Sequence, residues 1–133
     1  MVMLFHSEGM LEYSENPYKL ILLTDPGISE FYRALLPKTI RWNRPMYASH
    51  ISVVRKEVPS NLEFWRKRAG QVVSFWYDNV VGNDEKYFWL PCYSLELESI
   101  REELGLIFIS QLGNPIAPFR WSFHITIANT KCS

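Results

Sequence analysis

Two stretches of this chain share one frame. "ASHISVV" covers residues 48–54 and "SFHITI" covers residues 122–127. Each places a histidine, an apolar residue, a hydroxyl residue and a second apolar residue in strict succession. Alternate side chains of a β-strand point to opposite faces, so such a period buries one face and leaves the other polar. In the first stretch Ile51 and Val53 take the buried face, and His50 and Ser52 share the other. In the second, Ile125 and Ile127 are buried, and His124 and Thr126 share the other. The chain must therefore contain two strands whose polar faces both carry an imidazole and a hydroxyl.

Around these strands the punctuation predicts further elements. "YKLILLTD" (18–25) is a β-rich run stopped by Asp25-Pro26-Gly27, and "ISEFYRALL" (28–36) is a short helix closed by Pro37. Pro45 precedes a strand over 46–54. Ser60 is placed to cap a helix over 61–69 that Gly70 ends, and Ser94 to cap a helix over 95–105 that Gly105 stops. Residues 71–78 and 87–94 form a hairpin, with Pro91 demoting the second strand or placing it on an edge. The amino-terminal "MVMLFHSEGM" and His6 belong to no predicted element. The order of elements indicates α+β with a mainly antiparallel sheet, and it is compatible with two related halves that each contribute a histidine strand.

At 133 residues the length fits one domain over 1–133. The formal net charge is zero, which excludes a whole-molecule field able to coat long nucleic acid but permits a local basic site. Two cysteines, Cys92 and Cys132, make no disulfide framework, and Cys92 is expected to be a buried thiol. The first residues have no basic segment and no apolar run long enough for a signal or a span, so a soluble cytoplasmic protein without a membrane partner is expected.

Two imidazoles with two hydroxyls suit phosphodiester chemistry. A neutral imidazole removes a proton from the nucleophile, and a protonated one gives a proton to the leaving oxygen. Hydroxyls donate to nonbridging phosphate oxygens, where charge accumulates. A zinc site would want a third and fourth ligand, and neither CxxC nor HExxH is present, so no metal and no cofactor are expected.

The paired His-x-Ser/Thr motifs resemble the signature of the two-histidine (2H) phosphoesterase superfamily. Its motif histidines fall on His50 and His124, and its motif hydroxyls on Ser52 and Thr126. The resemblance implies a compact bilobal α+β fold, with the motifs on central strands as a pseudo-two-fold pair, and a metal-independent hydrolase. The small size, the "SFHITIANTK" ending and the aromatic hairpin are most similar to the phage branch that degrades cyclic oligonucleotides. Those nucleotides are signals of CBASS, a bacterial defence, so the implied role is immune evasion in the host cytosol. The partner is then a 3′–5′ cyclic di- or oligonucleotide. The alternatives are an enzyme of RNA ends, acting on 2′,3′-cyclic phosphates or 2′–5′ links, and a binding module that sequesters nucleotides without turnover.

Aromatic residues offer stacking partners for bases. Tyr47, just before the first motif, and Trp76 and Trp89, on the hairpin, are the candidates for substrate binding. Trp65 and Trp121 fit a core role. The basic cluster at 65–68, with Arg41, Arg44 and Arg120, is most simply solvated surface; its other role would be to attract phosphates.

Overall fold

A computed structural model describes residues 4–107 and 123–130. Its strands are β1 (Leu4–Ser14), β2 (Lys19–Leu23), β3 (His50–Val54), β4 (Val72–Asp78), β5 (Gly82–Asn83), β6 (Tyr87–Tyr93) and β7 (Phe123–Asn129). Two nine-residue helices accompany them, α1 (Pro26–Ala34) and α2 (Leu95–Glu103). The strands lie in the order β4-β1-β2-β3-β7-β6-β5, and β4 also pairs with β6. That last pairing closes six antiparallel strands into a barrel, with β5 extending β6. Leu11, Leu22, Ile51, Val73, Phe75, Leu90, Phe123 and Ile125 are all at most 2% exposed and form its filling, as expected of a small barrel packed with side chains rather than hollow.

This corrects the expected fold class. The bilobal, two-histidine-phosphoesterase-like α+β arrangement does not form; the described residues are mostly antiparallel β with two short helices. The reason lies in the sheet edges. β1 and β4 pair from Leu4↔Asp78 to Met10↔Val72, and β3 pairs with β7 at Ile51↔Ile125. The two sets of strands, β1-β2-β3 and β4-β6-β7, are thus joined along both sides, and closure leaves no edge from which separate lobes could part.

The second correction is the helix expected over 61–69. Only a 3-10 turn, Leu62–Phe64, forms there, with no side-chain cap. The capping groups serve α2 instead: Ser60 Oγ donates to the Gly105 carbonyl at 3.2 Å, and Asn61 Nδ2 to the Glu103 carbonyl at 3.1 Å. Arg66 then takes φ 67°, a left-handed conformation that no helix interior tolerates. Its guanidinium pairs with Glu15, and that of Arg68 with Glu103 at 2.6 Å, so these charges are engaged within the protein.

The amino-terminal residues form a strand that the sequence analysis does not predict, and His6 on it packs edge-on against Trp76, with ring centroids 5.0 Å apart. Pro91 does not mark an edge. β6 is paired on both sides, and Pro91 falls in the gap between the Tyr77↔Cys92 and Gly82↔Trp89 pairings, where no ladder donor is required. The predicted helices at 28–36 and 95–105 do appear. Asp25 accepts from the Gly27 amide and Ser94 from the Leu97 amide as their N-caps, and Gly105 follows α2 at φ 79°.

The chain runs twice through hairpin, helix and strand: β1-β2-α1-β3, then β4-β6-α2-β7 with β5 inserted. The repeat extends to register. Leu23↔His50, Leu22↔Ile51 and Ile21↔Ser52 in the first half answer to Pro91↔His124, Leu90↔Ile125 and Trp89↔Thr126 in the second. Both ladders then skip one residue, Val53 or Ile127, before resuming at Leu20↔Val54 or Phe88↔Ala128. A bulge conserved in position between two halves is a structural device, not a defect.

Candidate functional site

The two motif strands are neighbours. Ile51 and Ile125 are Cα partners in an antiparallel pair, and both are fully buried. Continued by one residue on each side, that register sets His50 across from Thr126 and Ser52 across from His124. All four side chains then leave the sheet on the face opposite the core. His124 is exposed, and the other three are half-buried. The two imidazoles stand on a diagonal, a relation that places residues about 7–8 Å apart.

Each histidine has a distinct setting. His50 Nδ1 lies 2.7 Å from the Ala48 carbonyl, an acceptor only, so Nδ1 carries the proton and Nε2 is the basic nitrogen of the neutral ring. The segment before His50 is pinned by hydroxyls: Ser49 Oγ is 2.8 Å from Thr24 Oγ1 and 2.7 Å from Ser29 Oγ, and the Thr24 amide donates to the Ser49 carbonyl. On His124, lost hydration first, then the positive charges of Arg55 and His50, hold the pKa below the usual histidine value. Its ring is open to solvent outward, yet enclosed enough by surrounding protein for desolvation to lead.

The aromatic candidates divide. Trp89 is the Cα partner of Thr126, and its indole meets the His124 ring edge-on, centroids 6.4 Å apart. It lies over Gly82, where a Cβ would come within 2.6 Å of Nε1, so glycine there is what admits the indole. Tyr47 is well exposed beside Thr126 at the rim of a depression, with the Lys19 ammonium 5.1 Å from its ring centre. Trp76 is not brought to the site. It sits on β4, on the β1–β4 seam across the barrel from β3 and β7. Trp121, Arg120 and Cys132 lie outside the described residues. Cys92 is fully buried, and burial pushes its thiol pKa well up, so it is inert packing.

Three residues near the site escaped the sequence analysis: Arg55, whose charge reaches His124, and the buried pair Arg33 and Arg101. A signal for the last two does exist. Glu30-x-x-Arg33-x-x-Leu36 on α1 repeats as Glu98-x-x-Arg101-x-x-Leu104 on α2. Among the described residues no group of three or more His, Cys, Asp or Glu is placed to hold a metal ion. No helix among them is long and apolar enough to cross a membrane. Neither protein-family models, nor curated proteins, nor solved structures give a match to this chain.

Proposed function

We propose that this chain is a phosphodiesterase in which His50 and His124 move the protons and no metal is needed. The observation that carries this is the Ile51↔Ile125 pairing, which puts both imidazoles and both hydroxyls on one outward face. Support comes from the site alone; the barrel removes overall fold as an argument for kinship with two-histidine phosphoesterases.

His124, depressed in pKa, fits the base, because its surroundings favour the neutral ring. It takes the proton of a ribose 2′-hydroxyl, whose oxygen attacks phosphorus. The bond from phosphorus to the 5′ oxygen breaks, and protonated His50 gives its proton to that oxygen. Ser52 and Thr126 donate to the nonbridging oxygens, and Arg55 adds positive charge nearby. The product ends in a 2′,3′-cyclic phosphate, which water opens with the two roles exchanged. The preferred substrate is a 3′–5′ cyclic di- or oligonucleotide, which makes the protein a cytosolic agent against nucleotide-signalled defence of the kind phages deploy.

The test is incubation with cyclic dinucleotides and with RNA bearing a 2′,3′-cyclic end, in EDTA, read by mass spectrometry. Cleavage of the cyclic dinucleotide through a cyclic-phosphate intermediate is expected. Turnover of the RNA end only would move the substrate to RNA repair. Tight binding without turnover of either would replace catalysis by sequestration.

A further inference from the structure

The two halves of the barrel treat their buried arginines differently. Arg101, fully buried, donates through Nη1 to the Val53 carbonyl at 2.7 Å and through Nε to the Ile107 carbonyl. Two further bonds of 2.8 Å join it to both oxygens of Glu57. Its charge is neutralised where it lies. Arg33, its counterpart on α1, is 7% exposed and donates through Nη1 to the Ile127 carbonyl at 2.8 Å. Val53 and Ile127 are the skipped residues of the two bulges. Yet among the described residues no carboxylate forms an ion pair with Arg33. Glu57 stands four residues after Val53, and the residue four after Ile127 is Lys131, a cation.

Glu30, on the preceding turn of α1, acts on Arg33 only at longer range, and a buried guanidinium with no carboxylate in contact is costly, so an anion brought to it would be favoured. Arg33 lines a depression of about 170 Å³. Its other walls include Ser29, Arg44, Tyr47, Ser49 and Thr126. Through Thr126 it borders the residue set across from His50. Arg44 is exposed and only loosely paired with the equally exposed Glu30, at 3.6 Å, a contact that salt screens and that a better anion displaces. The larger depression, about 300 Å³ between α1 and the 79–88 region, is mainly apolar and includes none of the four site residues.

We propose that the depression formed by Arg33, Arg44, Ser29 and Ser49 is a phosphate subsite that holds the phosphate next to the scissile one. The inference rests on the phosphodiesterase function above and extends it: the substrate carries at least two phosphates, and Tyr47 at the rim offers a flat face to the attached base. Arg33 supplies a fixed charge from below, and Arg44 closes from the solvent side as a two-armed donor. The equivalent position in the other half is filled by the protein's own Glu57, so the subsite is one-sided, and it gives a direction to the substrate.

The test uses the whole protein and three probes: adenosine 5′-monophosphate, adenosine, and succinate as a carboxylate control. Affinities come from calorimetry, and the binding place from amide NMR shifts. The monophosphate is expected to bind at least about tenfold more tightly than adenosine or succinate, the value of one charged hydrogen bond. Shifts should centre on Ser29, Ser49 and Thr126. Arg44→Glu, at an exposed position, should lower that affinity by a further factor of about ten, and Glu30→Gln should raise it. Arg33→Met should abolish binding; if it fails to fold, the two surface variants still decide. His124→Ala should leave monophosphate binding intact, which separates the subsite from catalysis. Monophosphate binding by an unaltered protein that cleaves no phosphodiester supports the subsite and counts against the enzyme. Equal affinity for adenosine and its monophosphate, or indifference to Arg44→Glu, overturns the subsite even if turnover is normal.

Discussion

At His124 lost hydration and then neighbouring charges favour the neutral ring. Lost hydration, Arg55 and His50 all disfavour its charged form, so its folded pKa lies below the unfolded value. Two consequences follow with definite sign. The acidic limb of the rate profile, which requires the base to be neutral, should lie below the ordinary histidine pKa of ~6.5. As pH falls through that unfolded value the unfolded chain binds the proton first, so this group subtracts from stability on the acid side. Arg55→Ala should move the His124 titration upward in an NMR pH series; an unchanged midpoint would remove Arg55 from the site. His50→Ala and His124→Ala should each cost a factor of ~10²–10⁴ in turnover with thermal unfolding preserved. The double variant should lose much less than the product, since two proton carriers act as one unit. Full activity in either folded single variant would end the proposed mechanism.

At the scale of elements, each bulge is held by a helix from the other half of the chain. Arg101 of α2 reaches Val53 on β3, and Arg33 of α1 reaches Ile127 on β7. These bonds fix the strand segments immediately after Ser52 and Thr126, and so steady both hydroxyls. Hydrogen bonds from Arg101 lower the pKa of Glu57. A carboxylate with a depressed folded pKa adds stability that is present above its unfolded value and is lost as pH falls through the folded one. Glu57→Gln should therefore destabilise by about 3–5 kcal/mol at neutral pH, because it leaves a buried guanidinium unneutralised. It should also flatten the acid limb of a stability–pH curve measured by urea denaturation. A loss below about 1 kcal/mol, the ceiling for an exposed pair, would show that water reaches Arg101.

Across the whole molecule, the barrel closes only because the two halves share both seams, β1 with β4 and β3 with β7. The functional face sits on one seam, so global packing and site geometry are a single property. Ile125→Ala removes buried methyl groups at the pairing that sets the register, and should cost about 2–5 kcal/mol. Activity should fall with it even where the variant remains folded. Tryptophan fluorescence and far-UV circular dichroism should report one coincident unfolding transition; two separated transitions would mean that the halves are independent.

Local features were legible in the order of residues alone. Period-2 alternation around His50 and His124 dictates strands with one wet face, Ser94 caps a helix because its side chain accepts from the amide three residues on, and apolar surroundings bury Cys92. These depend on near neighbours in the chain, and near neighbours are legible. Long-range competition was not. Residues 4–14 become a strand because β2 and β4 offer them partners on both sides. Ser60 and Asn61 do not start a helix because the end of α2, some forty residues away, takes their capping groups. Above all, no local pattern sets β3 beside β7 in a register that faces His50 to Thr126 and Ser52 to His124. A strand's own alternation fixes which residues share its face, but which strand it meets, and at what offset, is set by closure of the barrel.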